Sequence, residues 1–171
     1  MSRIQDVLAE LASEHDAFAT ALEAVDLELV TAPGVVEDWS VRDLVAHVGF
    51  WAEHATDALR LAAEGRGDEF AYDRAETDAM NARLLTESRE TSPAVAVDRE
   101  ERAFDALVSA LAELDPALLG LRLGNGDTVA AVVAYDGAAH YREHTAHLRA
   151  WFGENDGDEE GADSGTAAQR R

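Results

Sequence analysis

The sequence predicts an all-α protein: a four-helix bundle with an extra short helix and a disordered acidic C-terminal tail. Apolar residues recur at steps of three and four in several long segments, which is the spacing of one face of an α-helix. The 171 residues, 47% of them hydrophobic, are also enough to bury the core of one domain. We expect residues 1–152 to form the bundle and residues 153–171 to form the tail.

The first helix is predicted over residues 3–30. Its apolar residues lie mostly three or four positions apart, on one stripe: Ile4, Val7, Leu8, Leu11, Phe18, Leu22, Val25 and Leu29. Pro33 and Gly34 follow this segment. Because proline cannot continue the helical hydrogen bonds and glycine permits a turn, we expect the helix to end before them.

The second helix is predicted to begin after Ser40. A serine at this position accepts a hydrogen bond from a backbone N–H of the first turn, and Asp43 completes a short variant of the capping box. The helix is expected to run to about Glu64, before the glycines at 65 and 67. Its inward face is predicted to contain Leu44, Val48, Trp51, Ala55 and Leu59.

Two further helices are predicted in the middle of the chain, a shorter one over residues 74–90 and a longer one over 93–114. Ser92-Pro93 separates them, since serine is a good N-cap and proline suits the first helical position. The connection that follows is rich in leucine and glycine and ends at Gly124-Asn125-Gly126. We expect it to contain a small extended segment.

The last helix is predicted from Thr128 to about Phe152, with Asp127 as its cap. The residues beyond it, GENDGDEEGADSGTAAQRR, are mostly acidic or small and include no large apolar side chain. Burial therefore cannot offset the entropy of ordering this segment, and we expect it to be disordered.

The charge of the chain is strongly negative. It contains 35 acidic residues against 14 basic ones, all of them arginine, which gives a net charge of −21. Because this charge repels phosphate backbones and anionic lipids, we expect neither nucleic acid nor a membrane as a partner. The chain also lacks cysteine, and its N-terminus lacks the features of a signal peptide, so we expect a cytoplasmic protein.

The histidines of the last helix are the most specific feature of the sequence. His140 and His144 lie four residues apart and His147 follows three later, so all three share one helical face. A histidine pair at this spacing can chelate one cation from a single helix. His47, on the inward face of the second helix, is the natural third ligand. The prediction is a divalent-metal site formed by His47, His140 and His144.

Other interpretations of these residues stay open. His147 is the main rival ligand. His54 lies two turns after His47, so it is a candidate for the border of the expected site. His15 and His54 are otherwise expected at the surface or rim. Trp51, Tyr141 and Trp151 either line a pocket or, as is more common for aromatic residues at helical spacing, belong to the core.

Two segments resemble the DinB/YfiT-like superfamily, which includes the N-terminal domain of mycothiol-dependent maleylpyruvate isomerase. Residues 38–51, DWSVRDLVAHVGFW, resemble its second-helix signature, and residues 140–144, HYREH, resemble the HxxxH of its last helix. The His-Tyr-x-x-His form and the chain length look closest to the ClbS/DfsB branch, known for self-protection against the genotoxin colibactin. The last helix lacks the HRxxD-like pattern of the mycothiol isomerases, and we see no second domain, which argues against that enzyme itself.

The resemblance implies a bundle, often dimeric, whose three histidines bind zinc, nickel or another divalent ion. On this basis we expect a metal-dependent hydrolase or thiol transferase that acts on a small molecule. A low-molecular-weight thiol would supply the nucleophile that a cysteine-free chain lacks. Glu143 is the candidate catalytic residue, as a base or as a partner of the ligands, and Asp136 is a second candidate for that role.

Two alternatives need no metal. In the first, a ClbS/DfsB-like protein hydrolyses or sequesters an electrophilic small molecule, and the histidines act as acid, base or polar pocket groups. In the second, the bundle is a non-enzymatic, stress-linked binding protein that mainly forms a homodimer. The sequence leaves the substrate, the metal and the oligomeric state undecided.

Overall fold

The computed structural model describes residues 3–160 and shows the all-α bundle that the sequence predicts. Long helices enclose one core, with a short helix and a small hairpin beside them. In chain order the elements are α1 (Arg3–Glu23), β1 (Pro33–Val36), β2 (Trp39–Ser40), α2 (Val41–Ala63), α3 (Thr77–Arg89), α4 (Pro93–Glu113), α5 (Val129–Val133) and α6 (Ala139–Glu160). Along the bundle, α2 packs mainly against α4, and α1 packs mainly against α6. None of the helices within residues 3–160 has the length and apolar character needed to cross a membrane.

The core is built from the apolar stripes of these helices. Leu11 and Phe18 of α1, Leu44 of α2, and Leu107 and Leu111 of α4 are completely buried. Burying one such side chain stabilises the fold by about 1.5–3 kcal/mol before entropy is counted. The periodic spacing in the sequence therefore identified the inward faces correctly.

The first helix is shorter than the sequence analysis predicts. It ends at Glu23 rather than near residue 30. Val25 and Leu29 still pack on the core beyond the end of the helix, so burial of the apolar stripe does not by itself show where the helix ends. The Asp26 carboxylate accepts a hydrogen bond from the backbone N–H of Glu28. Such a local bond favours a turn over a further helical turn.

A two-stranded antiparallel hairpin precedes α2, and the sequence analysis did not predict it. Pro33–Val36 pairs with Trp39–Ser40, and Glu37 in the intervening turn has a positive φ of 54°. Two such short strands give too few residues for an alternating pattern to be read. The hairpin places Trp39 next to α2, where the ring of Trp39 meets the ring of His47 edge-on.

The predicted start of α2 is confirmed in detail. The Ser40 side chain accepts a hydrogen bond from the backbone N–H of Asp43, and the Asp43 side chain accepts one from the backbone N–H of Ser40. The helix ends at Ala63, with Glu64 as its C-cap. Ser88 of α3 also donates to the Asp43 carboxylate at 2.6 Å, so the cap anchors α3 to α2.

The two middle helices lie close to their predicted ranges. α3 follows a short 3-10 turn, Arg74–Glu76, and α4 begins at Pro93 with Ser92 as its N-cap. The connection after α4 forms a 3-10 helix, Pro116–Gly120. The extended segment expected there is limited to one isolated bridge between Arg122 and Thr128.

The last helix differs from the prediction at both ends and in the middle. Its N-cap is Thr128 rather than Asp127, and a π-helical turn, Ala134–Ala138, separates α5 from α6. Gly137 departs from helical geometry within that turn. An added Cβ at Gly137 would lie 3.2 Å from Leu11, so the missing side chain allows α1 to approach closely.

The helix also continues to Glu160 instead of ending near Phe152. No proline follows Phe152, and an interior glycine costs only about 1 kcal/mol relative to alanine. The first part of the segment expected to be a disordered tail, residues 153–160, is therefore helical. The rest of that predicted tail, residues 161–171, lies outside the described residues, and the division into residues 1–152 and 153–171 stays a prediction.

A buried polar cluster joins α1, α4 and α6. The hydroxyl of Tyr141, which is completely buried, donates to Glu100 Oε1 at 2.6 Å. His15 Nε2 lies 3.4 Å from the same oxygen, and the His15 ring stacks on Phe104 with centroids 3.6 Å apart. Glu100 is 3% exposed, so its carboxylate depends on these partners for hydrogen bonding.

Replacing Tyr141 with phenylalanine is expected to destabilise the fold by about 1–3 kcal/mol, because it removes a donor from a buried carboxylate. Urea unfolding followed by circular dichroism measures the effect. Tyr135→Phe is the matched control, since the Tyr135 hydroxyl donates to the half-buried Asp127 at 3.1 Å, and a smaller loss is expected there. Equal stability of the two variants would contradict the importance assigned to the Glu100 cluster.

Candidate metal centre

Three histidines from two helices lie close together inside the bundle. His47 projects from α2, and His140 and His144 project from α6 one turn apart. The π-helical turn Ala134–Ala138 contains a kink at Gly137, whose φ and ψ are both −110°, so α6 does not continue α5 as one uninterrupted helix. The register of α6 after that turn brings the histidine pair toward His47.

The ligand atoms of the three imidazoles are close together. Their coordinating nitrogens all lie within 4.8 Å of one another, and His47 Nε2 is 2.9 Å from His140 Nε2. The ring centroids of His47 are 4.8 Å from those of His140 and 5.0 Å from those of His144. The structure thus brings together the three residues that the sequence analysis selected as ligands.

The environment keeps these imidazoles uncharged. Burial, and to a smaller extent charge repulsion from the neighbouring histidines, lowers the pKa of His47, His140 and His144 from 6.5 to about 3. All three rings are therefore neutral near pH 7, and each has a nitrogen lone pair for a cation. Neutral imidazole is the form that binds metal ions.

The hydrogen bonding of the cluster is incomplete. His47 Nδ1 and His140 Nδ1 are buried and have no hydrogen-bond partner among the described residues. Apart from the contact between their Nε2 atoms, no hydrogen bond from residues 3–160 orients either ring. A buried polar atom without a partner costs about 1–3 kcal/mol. A shared cation that fixes both rings fits this arrangement and this set of donors.

The other histidines lie around the cluster in three different settings. His147 Nδ1 is 3.2 Å from His144 Nδ1, so His147 contacts a candidate ligand. His54, expected at the surface or rim, is instead partly buried, and its Nδ1 donates to Asp136 Oδ2 at 2.7 Å. His15, for which the same was expected, is 16% exposed and pairs with Glu100. Both corrections have one cause: carboxylates from other helices satisfy these rings.

A cavity of about 500 Å³ opens onto the three histidines. It is lined by Val36, Trp39, His47, Trp51, Tyr72, Arg74, Thr77, Asn81, Tyr135, Asp136, His140, Glu143, His144 and His147. Trp51 thus belongs to the cavity wall, whereas Tyr141 and Trp151 are buried in the core. The positions of Trp39, Tyr72 and Asn81 in the cavity wall were not predicted, because the sequences of the hairpin and of the α3 region contain no pattern that indicates a site.

Two carboxylates on the last helix border this cavity in different ways. Glu143, the predicted catalytic residue, is exposed at the rim. Asp136, within the π-helical turn, is 4% exposed, and burial raises its pKa while the hydrogen bond from His54 opposes that rise. Of the two, Asp136 is the carboxylate held in place beside the cavity.

Comparison with known proteins identifies the family. Residues 11–150 match the family described as the mycothiol maleylpyruvate isomerase N-terminal domain. The chain belongs to this family. The resemblance to the DinB/YfiT-like superfamily is thereby confirmed. No match was found among curated proteins.

Solved structures share the fold at low sequence identity. An uncharacterised protein from Escherichia coli UTI89 is similar with a TM-score of 0.77 and 16% identity, over 91% of this chain and 96% of that one. The colibactin self-resistance protein ClbS, solved in complex with double-stranded DNA, is similar with a TM-score of 0.73 and 18% identity, over 87% of this chain and 95% of that one. These two proteins thus have the same fold as this chain.

The ClbS complex also corrects one expectation. We expected the charge of −21 to exclude nucleic acid as a partner, but a protein of this fold has been solved with double-stranded DNA. The inference was wrong because net charge is a sum over the whole chain, whereas nucleic-acid contacts depend on the local arrangement of positive side chains and backbone N–H groups.

Proposed function

We propose that this protein is a metal-dependent enzyme that uses a low-molecular-weight thiol to modify an electrophilic small molecule. The convergence of His47, His140 and His144 at one cavity carries this proposal. The family match supports the thiol, since mycothiol appears in the family's name. The chain contains no cysteine, so a thiol nucleophile has to come from a second molecule.

The three histidines are the residues that would hold the ion. Neutral imidazole nitrogens suit zinc and nickel among the divalent transition metals. When bound, such an ion supplies positive charge that lowers the pKa of a thiol or a water molecule beside it. With water in place of the thiol, the same site would act as a hydrolase.

We assign proton transfer to Asp136. Its Oδ2 accepts the hydrogen bond from His54 Nδ1 at 2.7 Å, and within residues 3–160 no hydrogen bond occupies its other oxygen. That oxygen is available to take the proton from a thiol in the cavity, and burial raises the basicity of the carboxylate. His54 orients Asp136 through this hydrogen bond to Oδ2.

Fewer observations support Glu143 as the residue that accepts the proton. It borders the same cavity but is exposed, and no hydrogen bond to another described residue fixes its side chain. A catalytic base needs a defined position as well as a suitable pKa. The assignment of Glu143 stays a prediction, and the experiment below compares the two carboxylates directly.

The zinc-loaded protein is expected to accelerate the alkylation of N-acetylcysteine by monobromobimane, in which the thiol sulfur displaces bromide and the thiol proton passes to Asp136. Removing the metal is expected to abolish the acceleration. Asp136→Asn is expected to slow the reaction about 100-fold, the usual contribution of a general base, whereas Glu143→Gln leaves most of the rate. Fluorescence of the bimane product measures each rate.

The proposal fails if zinc-loaded and metal-free proteins react equally fast. The base assignment alone fails if Glu143→Gln, rather than Asp136→Asn, lowers the rate. Circular dichroism of both variants checks that the bundle is intact, which matters because Asp136 is buried.

A metal-free protection protein is the second candidate, and the fold shared with the self-resistance protein ClbS favours it. In that case the cavity hydrolyses or sequesters an electrophile, and the neutral histidines act as polar groups. Stoichiometric metal in the purified protein separates the two candidates. A homodimer remains a prediction, which light scattering of the purified protein tests.

A further inference from the structure

One wall of the cavity presents a hydrogen-bond donor whose orientation is fixed by a tryptophan. The indole N–H of Trp51 on α2 donates to Asn81 Oδ1 on α3 at 3.3 Å. An indole nitrogen can only donate, so the atom of Asn81 that faces it must be the amide oxygen. The Asn81 amide nitrogen is then left with two N–H groups.

These N–H groups have no acceptor within residues 3–160, and Asn81 lines the same cavity as the three histidines. The nearby Thr77 hydroxyl is engaged by the Arg74 carbonyl and by the Tyr72 hydroxyl, so it does not compete for a ligand. Trp51 itself lies between Asn81 and the histidines, with its ring 6.2 Å from the ring of His47. A ligand that reaches the histidines along Trp51 therefore passes the Asn81 amide.

The charges around the cavity define what this donor can bind. Arg74 is the one arginine among the lining residues described, and it already pairs with Asp127 at 3.0 Å and lies 5.0 Å above the Tyr135 ring. Asp136 and Glu143 add negative charge. In the metal-free protein, a carboxylate buried beside Asn81 would lack a free counter-ion, which is unfavourable. An uncharged acceptor oxygen meets no such penalty.

We propose that Asn81, oriented by Trp51, donates a hydrogen bond to the carbonyl oxygen of a neutral ketone, ester or amide bound in the cavity. Asn81 is thus a specificity-determining residue. The rings of Trp39, Trp51 and Tyr72 on the same cavity provide apolar surface for the body of such a molecule. This inference rests on the proposed function, because it names the class of substrate that the site would accept.

The test compares the binding of acetophenone and ethylbenzene, which differ only in a carbonyl oxygen replaced by two hydrogens. Saturation-transfer NMR with competition measures both affinities for wild type and for Asn81→Asp, which keeps the oxygen facing Trp51 and replaces the N–H groups by a second oxygen. Wild type is expected to bind acetophenone about fivefold more tightly than ethylbenzene, the value of one net hydrogen bond. Asn81→Asp is expected to lose this preference and to bind ethylbenzene as wild type does.

Two controls make the result specific. Thr86→Ala, an exposed change on the same helix, is expected to keep the preference for acetophenone. Benzoate, as a third probe, is expected to bind metal-free wild type more weakly than acetophenone does. The inference is overturned if wild type shows no preference for acetophenone, if Asn81→Asp retains the preference, or if benzoate binds metal-free wild type more tightly than acetophenone does.

The zinc content of the same samples separates this inference from the proposed function. The binding of both probes is measured with zinc-loaded and with metal-free protein. Wild type without stoichiometric zinc contradicts the metal-dependent function, while the preference for acetophenone still decides the role of Asn81. If wild type and Asn81→Asp bind zinc equally and Asn81→Asp keeps the preference for acetophenone, only the role of Asn81 is contradicted.

Discussion

Replacing any one of His47, His140 and His144 with alanine is expected to remove stoichiometric metal binding. Two remaining imidazoles leave an incomplete site, and even changes in the residues that support ligands commonly lower metal affinity 10- to 100-fold. We expect a loss of more than about 100-fold for a ligand itself. Wild type, purified without a histidine tag and dialysed against zinc, is expected to retain about one equivalent by elemental analysis.

His15→Ala is the matched control, because it removes a partly buried histidine that pairs with Glu100 instead of belonging to the cluster. It is expected to keep the wild-type zinc content. His147→Ala is informative as well: an intermediate affinity would identify it as the supporting partner of His144, with which it is in contact. Full zinc stoichiometry in His47→Ala or His144→Ala would contradict the three-histidine site, provided that circular dichroism shows intact helices.

Acidification is expected to destabilise the metal-free protein strongly below pH 6.5. The three histidines have pKa values of about 3 in the folded state, against 6.5 for an unperturbed histidine. Between these values the unfolded state binds more protons than the folded state, so stability is fully present above pH 6.5 and falls as the pH falls. Each histidine contributes a slope of about 1 kcal/mol per pH unit.

Urea unfolding at several pH values between 5 and 8 measures this slope. Because the many carboxylates of the chain also titrate on acidification, the informative quantity is the difference between wild type and a variant. His47→Gln is expected to reduce the slope below pH 6.5 by about 1 kcal/mol per pH unit. His15→Gln serves as the matched control for a histidine outside the cluster. An unchanged slope in His47→Gln would show that the folded protein accommodates a charged His47.

Most of the secondary structure was predictable because its signals are local. The capping residues Ser40 and Ser92 lie next to the helices that they begin, and both form the expected side-chain bonds. The apolar stripes also identified the buried faces. The errors arose where a local hydrogen bond or a tertiary contact decided the outcome: at Asp26, which favours a turn, and at Gly137, where the last helix is interrupted against α1.

The candidate site was predictable in part. The spacing of His140 and His144 fixed their common face, and the inward face of the second helix, together with the family resemblance, indicated His47. Nothing local predicts the π-helical turn that sets the register of α6, or the pairing of His54 with Asp136, which lie 82 positions apart. The cavity wall formed by Trp39, Tyr72 and Asn81 depends in the same way on how the hairpin and α3 pack against α2.

The sequence by itself determined the all-α class, the inward faces of the helices and the histidine pair, because each depends on residues within one or two helical turns. The tertiary structure decided that His47 meets His140, 93 positions away, that their environment keeps both rings neutral, and that Asp136 rather than Glu143 is buried beside them. These properties depend on burial and on contacts between helices, which arise only when the bundle assembles.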